Sequence, residues 1–541
     1  MIYSRLKRTM ALALASAICL YPVTPAFANN DGFGETATPI KHLVIIFQEN
    51  VSFDHYFGTY PSAMNPSGEP VFKAKKNTPT VNGLTAALLN SNPNLLNAAN
   101  LTGATNPFRL DRSQAATNDQ NHAYGPEQSA AGAGLMDLFP LNTGTAGPPP
   151  NAPPLAVTTK GLTMGYYDGN TVTAFWNYAQ NYAMSDNSYG TTFGPSTPGL
   201  MNLVAGQTNG AINILNPNST EVDGGNGSLT VVGDPDPTGD VCSSPSRNQL
   251  NMLGFNIGDK LTGAGITWGS FMGGFDLTAV NANLSTGCTR TSAGIASPAG
   301  TADYIPHHAF FQYWPSTANP THARPKSISE IGNAGPANHQ YDINDFFAAL
   351  KHNILPSVSF LKAPAFQDGH AGYSDPLDEQ TFVVNVVNTL QKSNFWKDTA
   401  VIIMYDDSDG WYDHVMGPIV NQSSSTQDAL TGPGACGSGL AALPGPALNP
   451  HAQGRCGYGP RLPFIVVSPW AKQNFVDHSV TDQSSVIRFI EDNWLENQRL
   501  GNGSFDDYAN TITQFFDFNG SCDNDTNRLI LDPSTGEVTS H

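Results

Sequence analysis

Three short apolar stretches decide the fold of this chain: HLVIIFQ at His42–Gln48, TAVIIMY at Thr399–Tyr405 and PFIVVS at Pro463–Ser468. Each is a continuous apolar run rich in β-branched residues, which is typical of parallel strands covered on both faces. Helical patterns occupy Glu379–Gln391 and Asp482–Leu495. The combination predicts an α/β fold in which helices sandwich a central, mostly parallel sheet.

The stretches outside these elements have a different composition. Gly, Pro, Ser and Asn are frequent near 62–160, 215–300 and 420–460, and only 13% of the whole chain is charged. Such segments indicate long loops and insertions rather than long exposed helices. We therefore expect one domain over residues 29–541 that is interrupted by these three insertions.

The N-terminus has the pattern of an export signal. A basic start and an apolar run over 10–20 are followed by Ala-Phe-Ala, which ends at Ala28. The run is too short to span a bilayer, and small residues at this spacing are typical of a cleavage site. We expect a signal peptide over 1–28, cleavage near Ala28 and a secreted or periplasmic protein without a transmembrane segment. An N-terminal anchor is the alternative.

The charge of the chain excludes one class of partner. The formal net charge is −19, and it becomes more negative once the three basic residues of the leader are removed. Proteins that bind polyanions normally carry a basic surface. We therefore expect no nucleic-acid partner, and we expect repulsion from anionic membranes.

Five cysteines follow the leader. In an oxidising compartment disulfides are the default, although sequence alone leaves the connectivity open. Pairing nearest neighbours predicts Cys242–Cys288 and Cys436–Cys456, and it leaves Cys522 free. A cysteine zinc site is not expected because the chain has no CxxC spacing.

Two of the predicted strands run directly into acidic or amide side chains. Glu49 and Asn50 end the first, and Asp406 and Asp407 end the second. Ligands of open α/β sheets bind beyond the carboxyl ends of the strands. Carboxylates there would meet around one hard divalent cation, which prefers oxygen ligands. The alternative is ordinary turn and capping chemistry.

A candidate nucleophile lies in GPSTPGLMNLVAG at 194–206. The pattern predicts a short helix over Thr197–Ala205, with Ser196 at or near its N-cap. A helix N-terminus attracts anions, so a phosphoryl group on this serine would be stabilised by free backbone N–H groups. A serine hydroxyl needs activation, and the absence of a GxSxG elbow favours a metal as the activator. The alternative role of the serine is capping alone.

Four histidines lie in loop-like contexts flanked by Gly or Pro: His122, His307, His308 and His370. One such histidine alone is typical of a surface residue. As a set they indicate a site. The chain contains no HExxH motif, so a zinc site of that type is not indicated.

Taken together, ENVSFDHYFG at 49–58, GPSTPG at 194–199 and YDDSDGWYDHV at 405–415 resemble a bacterial phosphoesterase family. That family contains acid phosphatases and phospholipases C, and it is related in fold to alkaline phosphatase and the arylsulfatases. The resemblance runs in order over about residues 42–494. The chain departs from the family pattern at Val51, where many members have arginine. This difference affects any substrate contact made from that position and does not affect the metal ligands.

The resemblance implies roles for the candidate residues. It implies a divalent metal ion of unknown identity, or two such ions, bound by Glu49, Asn50, Ser196, Asp406 and Asp407. It also implies that the phosphate is surrounded, or the leaving group protonated, by His122, His307, His308 and His370.

The chain is more similar to the acid phosphatase branch than to the phospholipase branch. Phospholipase members commonly have Thr at the nucleophile position and extra C-terminal β-domains, whereas Ser196 is followed here by Pro198-Gly199 and only a short tail follows the last helix. We expect a secreted, metal-dependent acid phosphatase that acts on phosphomonoesters through a phosphoserine, with His307 or His370 protonating the leaving oxygen. The alternatives are a phospholipase C acting on phosphatidylcholine-type lipids, a sulfatase, and a non-catalytic surface protein with a hydrolase-like fold.

Overall fold

A computed structural model describes most of the chain. The residues described are 36–148, 159–225, 227–437, 453–519 and 527–540. The expected signal peptide and Cys522 lie outside them. Both predicted disulfides, Cys242–Cys288 and Cys436–Cys456, are present. Within the ranges described, no helix combines the length and the apolar character that a membrane span requires.

An eight-stranded sheet forms the centre of the molecule. In chain order its strands are β1 (His42–Gln48), β2 (Ala183–Ser185), β3 (Trp268–Met272), β4 (Gln340–Asp342), β5 (Val358–Lys362), β6 (Thr399–Tyr405), β7 (Phe464–Val467) and β8 (Phe475–Asp477). Across the sheet their order is β4-β3-β5-β1-β6-β7-β2-β8.

Strand β1 lies in the interior of the sheet and is buried along its whole length. It pairs in parallel with both β5 and β6, so that Ile45 lies opposite Phe360 on one side and Ile402 on the other. Helices flank this mostly parallel sheet. The predicted α/β class is confirmed, and so are the predicted bounds of β1 and β6.

The prediction of a third parallel strand is wrong. Strand β7 is antiparallel to β6 and to β2. A strand buried on both faces has a continuous apolar sequence whichever way it runs, so its composition does not reveal its direction. In addition, β3 lies within the 215–300 range that was expected to be an insertion, so the central sheet takes one strand from there.

Six helices position the site and its surroundings. They are α1 (Phe53–Phe57), α2 (Thr173–Asn181), α3 (Ser196–Ala205), α4 (Ile343–Lys351), α5 (Pro376–Lys392) and α6 (Ser484–Trp494). Helix α5 begins three residues before its predicted start, because Asp375 caps it by accepting hydrogen bonds from two N–H groups of the first turn.

Smaller elements fill the loop-rich segments. Short helices include Ala86–Asn90, Pro93–Leu96, Tyr124–Ala130, Phe139–Asn142 and Ile257–Gly263. A second, five-stranded sheet contains, in spatial order, Glu221–Asp223, Leu229–Val231, Asn209–Leu215, Gln249–Met252 and Asp236–Pro237. The last of these strands lies beside the turn Pro306–His308, which carries two of the candidate histidines.

Candidate active site

The carboxyl ends of β1 and β6 bring four candidate ligands together. Because these strands are adjacent and parallel, Glu49 and Asn50 leave the sheet beside Asp406 and Asp407. The Asn50 N–H donates to the Asp406 carboxylate at 3.1 Å, and the Val51 N–H donates to the Asp407 carbonyl at 2.9 Å. All four candidate side chains are buried.

Ser196 enters this cluster from helix α3. It is the first helical residue, while Pro195 occupies the N-cap, so the serine side chain does not cap the helix. Its hydroxyl donates to Glu49 Oε2 at 2.9 Å, and it lies 3.4 Å from Asp407 Oδ2. The close approach depends on Gly199, where an added Cβ would lie 2.3 Å from the carbonyl oxygen of Asp406.

The donor set fits a hard divalent cation. Carboxylate, amide and hydroxyl oxygens converge here, which are the ligands that such cations prefer. Burial raises the pKa of Asp406, and the neighbouring Glu49 carboxylate raises it further. Burial likewise raises the pKa of Asp407. A bound cation would supply the positive charge that this buried group of carboxylates needs in order to ionise.

Lys362 belongs to the cluster and was missed by the sequence analysis. It ends β5, is fully buried, forms an ion pair with Glu49, and lies 3.9 Å from Asp406 Oδ2. Although burial disfavours the ammonium, these carboxylates raise the pKa of Lys362. The sequence feature that could have identified it is the position of this lysine at the end of the apolar run VSFLK.

His308 contacts the same carboxylates. Its Nδ1 lies 3.3 Å from Glu49 Oε1 and 3.8 Å from Asp368, another buried acid that sequence reasoning missed although it directly precedes Gly369-His370. Burial lowers the pKa of His308, and the charge of Lys362 lowers it further.

His307 is less directly placed. Its ring packs edge-on against His308 with centroids 4.5 Å apart, and its carbonyl oxygen accepts a 3.4 Å hydrogen bond from Thr197. The imidazole itself lies 3.8 Å from Asp236. Hydrogen bonds among the described residues therefore do not connect the His307 ring to Ser196.

The Asn50 amide links the carboxylates to the other two histidines. One terminal atom of the amide lies 2.7 Å from Glu49 Oε2, and the other lies 3.0 Å from His370 Nε2. The second atom is also 3.4 Å from His122 Nε2. Asn50 adopts a φ of +54°, a left-handed conformation that asparagine tolerates better than most residues. Burial lowers the pKa of His370.

His122 is held by two acids that the sequence analysis did not select. Its Nδ1 lies 3.1 Å from Asp409 and 3.3 Å from Asp119. Burial opposes a charge on the ring, but Asp407 and these two acids together raise the pKa of His122 well above its usual range. Asp409 was visible in the sequence as a loop acid, whereas nothing marked Asp119.

Glu127 joins the loop that precedes Ser196 to the loop that carries Asp407. Its carboxylate accepts a 3.0 Å hydrogen bond from the Gly194 N–H and a 2.6 Å bond from the Ser408 hydroxyl. Burial raises the pKa of Glu127 to about 7. The surrounding sequence YGPEQ carries no signal of this role.

A cavity of about 570 Å³, lined by both polar and apolar side chains, adjoins the cluster. His122 and Pro195 lie on its wall. The polar part of the lining includes Asp119, Asp234 and several Asn, Gln, Ser and Thr side chains, and the apolar part includes Tyr124 and Val232. Within the described part of the chain, its lining contains acids but neither lysine nor arginine. The cavity therefore suits a hydrophilic group better than an additional anionic group.

The profile of the Phosphoesterase family matches residues 40–495 of this chain. Among curated proteins, non-hemolytic phospholipase C of Pseudomonas aeruginosa is 25% identical over 84% of this chain and 53% of its own length. Phospholipase C A of Mycobacterium tuberculosis is 24% identical over 84% of this chain and 72% of its own. The non-hemolytic phospholipase C of Burkholderia pseudomallei is 25% identical, over 84% and 55%.

These matches leave part of each relative uncovered. The chain spans about half the length of the Pseudomonas and Burkholderia proteins. Among solved structures, murine ectonucleotide pyrophosphatase / phosphodiesterase 5 has a TM-score of 0.30 at 12% identity, covering 64% of this chain and 95% of its own.

Proposed function

Because this chain belongs to the Phosphoesterase family, we propose that it hydrolyses phosphate esters with Ser196 as the nucleophile. The observation that carries the proposal is the placement of the Ser196 hydroxyl on Glu49, beside Asp407 and at the start of helix α3. The hydroxyl has a proton acceptor at 2.9 Å and lies at the N-terminal end of the helix, where the helix dipole favours negative charge. The predicted set of free N–H groups is not present there, because the Thr197 N–H donates to Asp234 at 2.9 Å and Pro198 has no N–H.

The first step transfers the phosphoryl group to the protein. Ser196 Oγ attacks phosphorus while the bond from phosphorus to the alcohol oxygen breaks, and the hydroxyl proton passes to a neighbouring carboxylate. The departing alkoxide takes a proton from a histidine and leaves as the alcohol. Water then attacks the phosphoserine and gives a proton to the same histidine, while the bond from phosphorus to Ser196 Oγ breaks. The carboxylate returns its proton to Oγ, and phosphate leaves.

One divalent cation, held by the Glu49, Asn50, Asp406 and Asp407 oxygens with Ser196, would supply Lewis acidity and lower the pKa of the serine hydroxyl. Lys362 holds Glu49 in place and balances part of the buried negative charge. Metal analysis of the purified protein would determine the number of bound ions and their identity.

His370 is the better placed proton donor, and His307 the less well placed. The His370 ring contacts Asn50 at the ligand cluster, whereas the His307 ring faces Asp236. Burial lowers the pKa of His370 below its usual value, so its proton-donating form is populated only at acid pH. This supports an acid optimum for the reaction.

We propose a phosphomonoester of a small hydrophilic alcohol as the substrate. The support is the cavity beside His122, whose walls offer acids, amides and hydroxyls. These polar groups would hydrogen-bond a polyol or accommodate a cationic head group.

Phospholipase C activity is the second candidate, and the names of the relatives favour it. The same nucleophile and ligands would cleave the phosphodiester of a lipid, with the head group in the cavity beside His122. A comparison of kcat/KM for an aryl phosphate and for a short-chain phosphatidylcholine separates the two substrates.

We propose that the protein acts outside the cytoplasm. Two disulfides and the export pattern over 1–28 support this, since disulfides persist in oxidising compartments. Detection of the mature protein in the periplasm or medium, with its N-terminus at residue 29, would test it.

A further inference from the structure

The later residues of two family-like motifs lie outside the ligand cluster. Asp54 follows Glu49 and Asn50 in ENVSFDHYFG, and Asp413 and His414 follow the aspartates in YDDSDGWYDHV. All three converge at a second buried cluster, whose central residue is Arg461.

Arg461 bridges the two motif halves directly. It is fully buried, and its Nη2 donates to Asp54 Oδ1 at 3.0 Å while its Nε donates to Asp413 Oδ2 at 3.1 Å. The planar guanidinium meets two carboxylates at once, a geometry that lysine does not reproduce. Its remaining Nη1 donates to the carbonyls of Asn82 and Asp186, so the side chain is held in one orientation.

Further contacts tie the same two loops together around Arg461. The Asp54 N–H donates to Asp413 at 3.1 Å, and the His414 ring lies 2.6 Å from the Asp54 carboxylate. The guanidinium also lies over the Phe53 ring, 4.2 Å from its centroid. The segments after β1 and β6 are therefore joined beyond the ligands that they carry, with Arg461 as the charged link. A second link is the Ser52 hydroxyl, which donates to the Tyr412 carbonyl at 2.9 Å.

This second cluster is not itself a metal site. Asp54, Asp413 and His414 offer ligand atoms close to one another, but the guanidinium of Arg461 already holds the position of the cation between the two carboxylates. A metal ion there would have to displace a buried, fully paired arginine.

We propose that Arg461 is a positioning residue for the metal centre. By clamping Asp54 to Asp413 it fixes the separation between the Glu49–Asn50 half and the Asp406–Asp407 half of the ligand set, and thereby sets the affinity for the divalent cation. The inference rests on the proposed function, because it takes those four residues as ligands.

The experiment measures Mn²⁺ affinity by electron paramagnetic resonance on purified, folded Arg461→Lys. The variant keeps the positive charge and loses the planar guanidinium that binds both carboxylates. We therefore expect the Kd for Mn²⁺ to rise by about ten-fold or more, which is the usual effect of losing a residue that supports the metal ligands. Phosphatase kcat at saturating Mn²⁺ should recover toward the wild-type value. Asp413→Asn, which removes one arm of the clamp without a change in shape, should give the same pattern and serves as the second variant if Arg461→Lys does not fold.

Arg290→Lys is the matched control. Arg290 is also buried and bridges two aspartates, Asp303 at 3.2 Å and Asp342 at 2.9 Å, but neither follows β1 or β6. The Arg290→Lys substitution should lower the unfolding temperature measured in the presence of chelator and leave the affinity for Mn²⁺ unchanged. Wild-type affinity in the Arg461 and Asp413 variants, or equal weakening in the Arg290 variant, would overturn the proposal. Failure of wild-type protein to bind Mn²⁺ would instead refute the metal centre of the proposed function, and the clamp with it.

Discussion

The Ser196 hydroxyl donates a 2.9 Å hydrogen bond to Glu49, although 147 positions separate the two residues in the chain. Glu49 reaches this point from the end of β1, and Ser196 from the first turn of α3. The contact orients the hydroxyl in a buried site and gives its proton an acceptor. This relationship is the basis for the first test of function.

Replacement of Ser196 by Ala should lower kcat for an aryl phosphate by about 10³-fold or more, because the nucleophile is lost while the fold is kept. Ser484→Ala is the matched control: Ser484 is also the first residue of a helix, is buried, and donates to a carboxylate at 2.9 Å. The control should retain near wild-type kcat. A folded Ser196→Ala protein with comparable turnover would contradict the assignment.

Asp407→Asn should weaken divalent-metal binding by more than about ten-fold, since loss of a charged ligand exceeds the effect of losing an outer partner. Isothermal titration with Mn²⁺ measures this, and dialysis against chelator should abolish wild-type activity until metal is restored. Asp477→Asn, at a buried aspartate that accepts from Ser479, is the control and should bind metal normally. Full activity of metal-free wild-type protein would refute the metal role.

Phosphomonoesters should be hydrolysed with a higher kcat/KM than short-chain phosphatidylcholine, because the acids, amides and hydroxyls beside His122 would hydrogen-bond a small hydrophilic alcohol. The comparison uses both substrates between about pH 5 and 8, where histidines change charge. The optimum for the monoester should lie on the acid side of neutrality. Preference for the lipid at every pH would assign the protein to phospholipase C chemistry with the same nucleophile.

Stability should fall as the pH rises, because of Glu379. It accepts 2.7 Å hydrogen bonds from Tyr56 and Tyr405, and burial raises the pKa of its carboxyl to about 8. Since the folded pKa lies above the unfolded one, its contribution is fully present below the unfolded pKa of about 4.5, declines as the pH rises from there, and is lost once the pH has passed about 8. Glu379→Gln should remove this loss, which is on the order of 4 kcal/mol.

Urea unfolding across the range from about pH 5 to 9 measures the effect on the free energy of unfolding. The exposed Glu496→Gln variant is the control and should keep the wild-type pH dependence. An unchanged slope in Glu379→Gln would show that another group causes the loss.

Local patterns were sufficient for much of the fold. The bounds of β1 and β6, and the start of α3 to within one residue, follow from short apolar runs and from turn residues. Both disulfides follow from nearest-neighbour order. The direction of β7 did not follow, because strand direction depends on how the chain returns to the sheet and not on the composition of the strand.

The same division applies to the site. Glu49, Asn50, Asp406 and Asp407 were selected because the carboxyl ends of neighbouring parallel strands share one edge of a sheet. Lys362 and Glu127 were not selected, since one looks like the polar end of a strand and the other like a loop acid. Their significance comes from burial beside other charges, which no local pattern encodes.

The sequence by itself determined which segments become strands and helices and which strand ends carry acids, because periodicity and side-chain type act over a few residues. Only the tertiary structure decided that Ser196 reaches Glu49, that Lys362 neutralises part of the acidic cluster, and that Arg461 joins the segments that follow β1 and β6. These contacts are made between distant segments, and their energies depend on the exclusion of water, which arises only when the whole domain has packed.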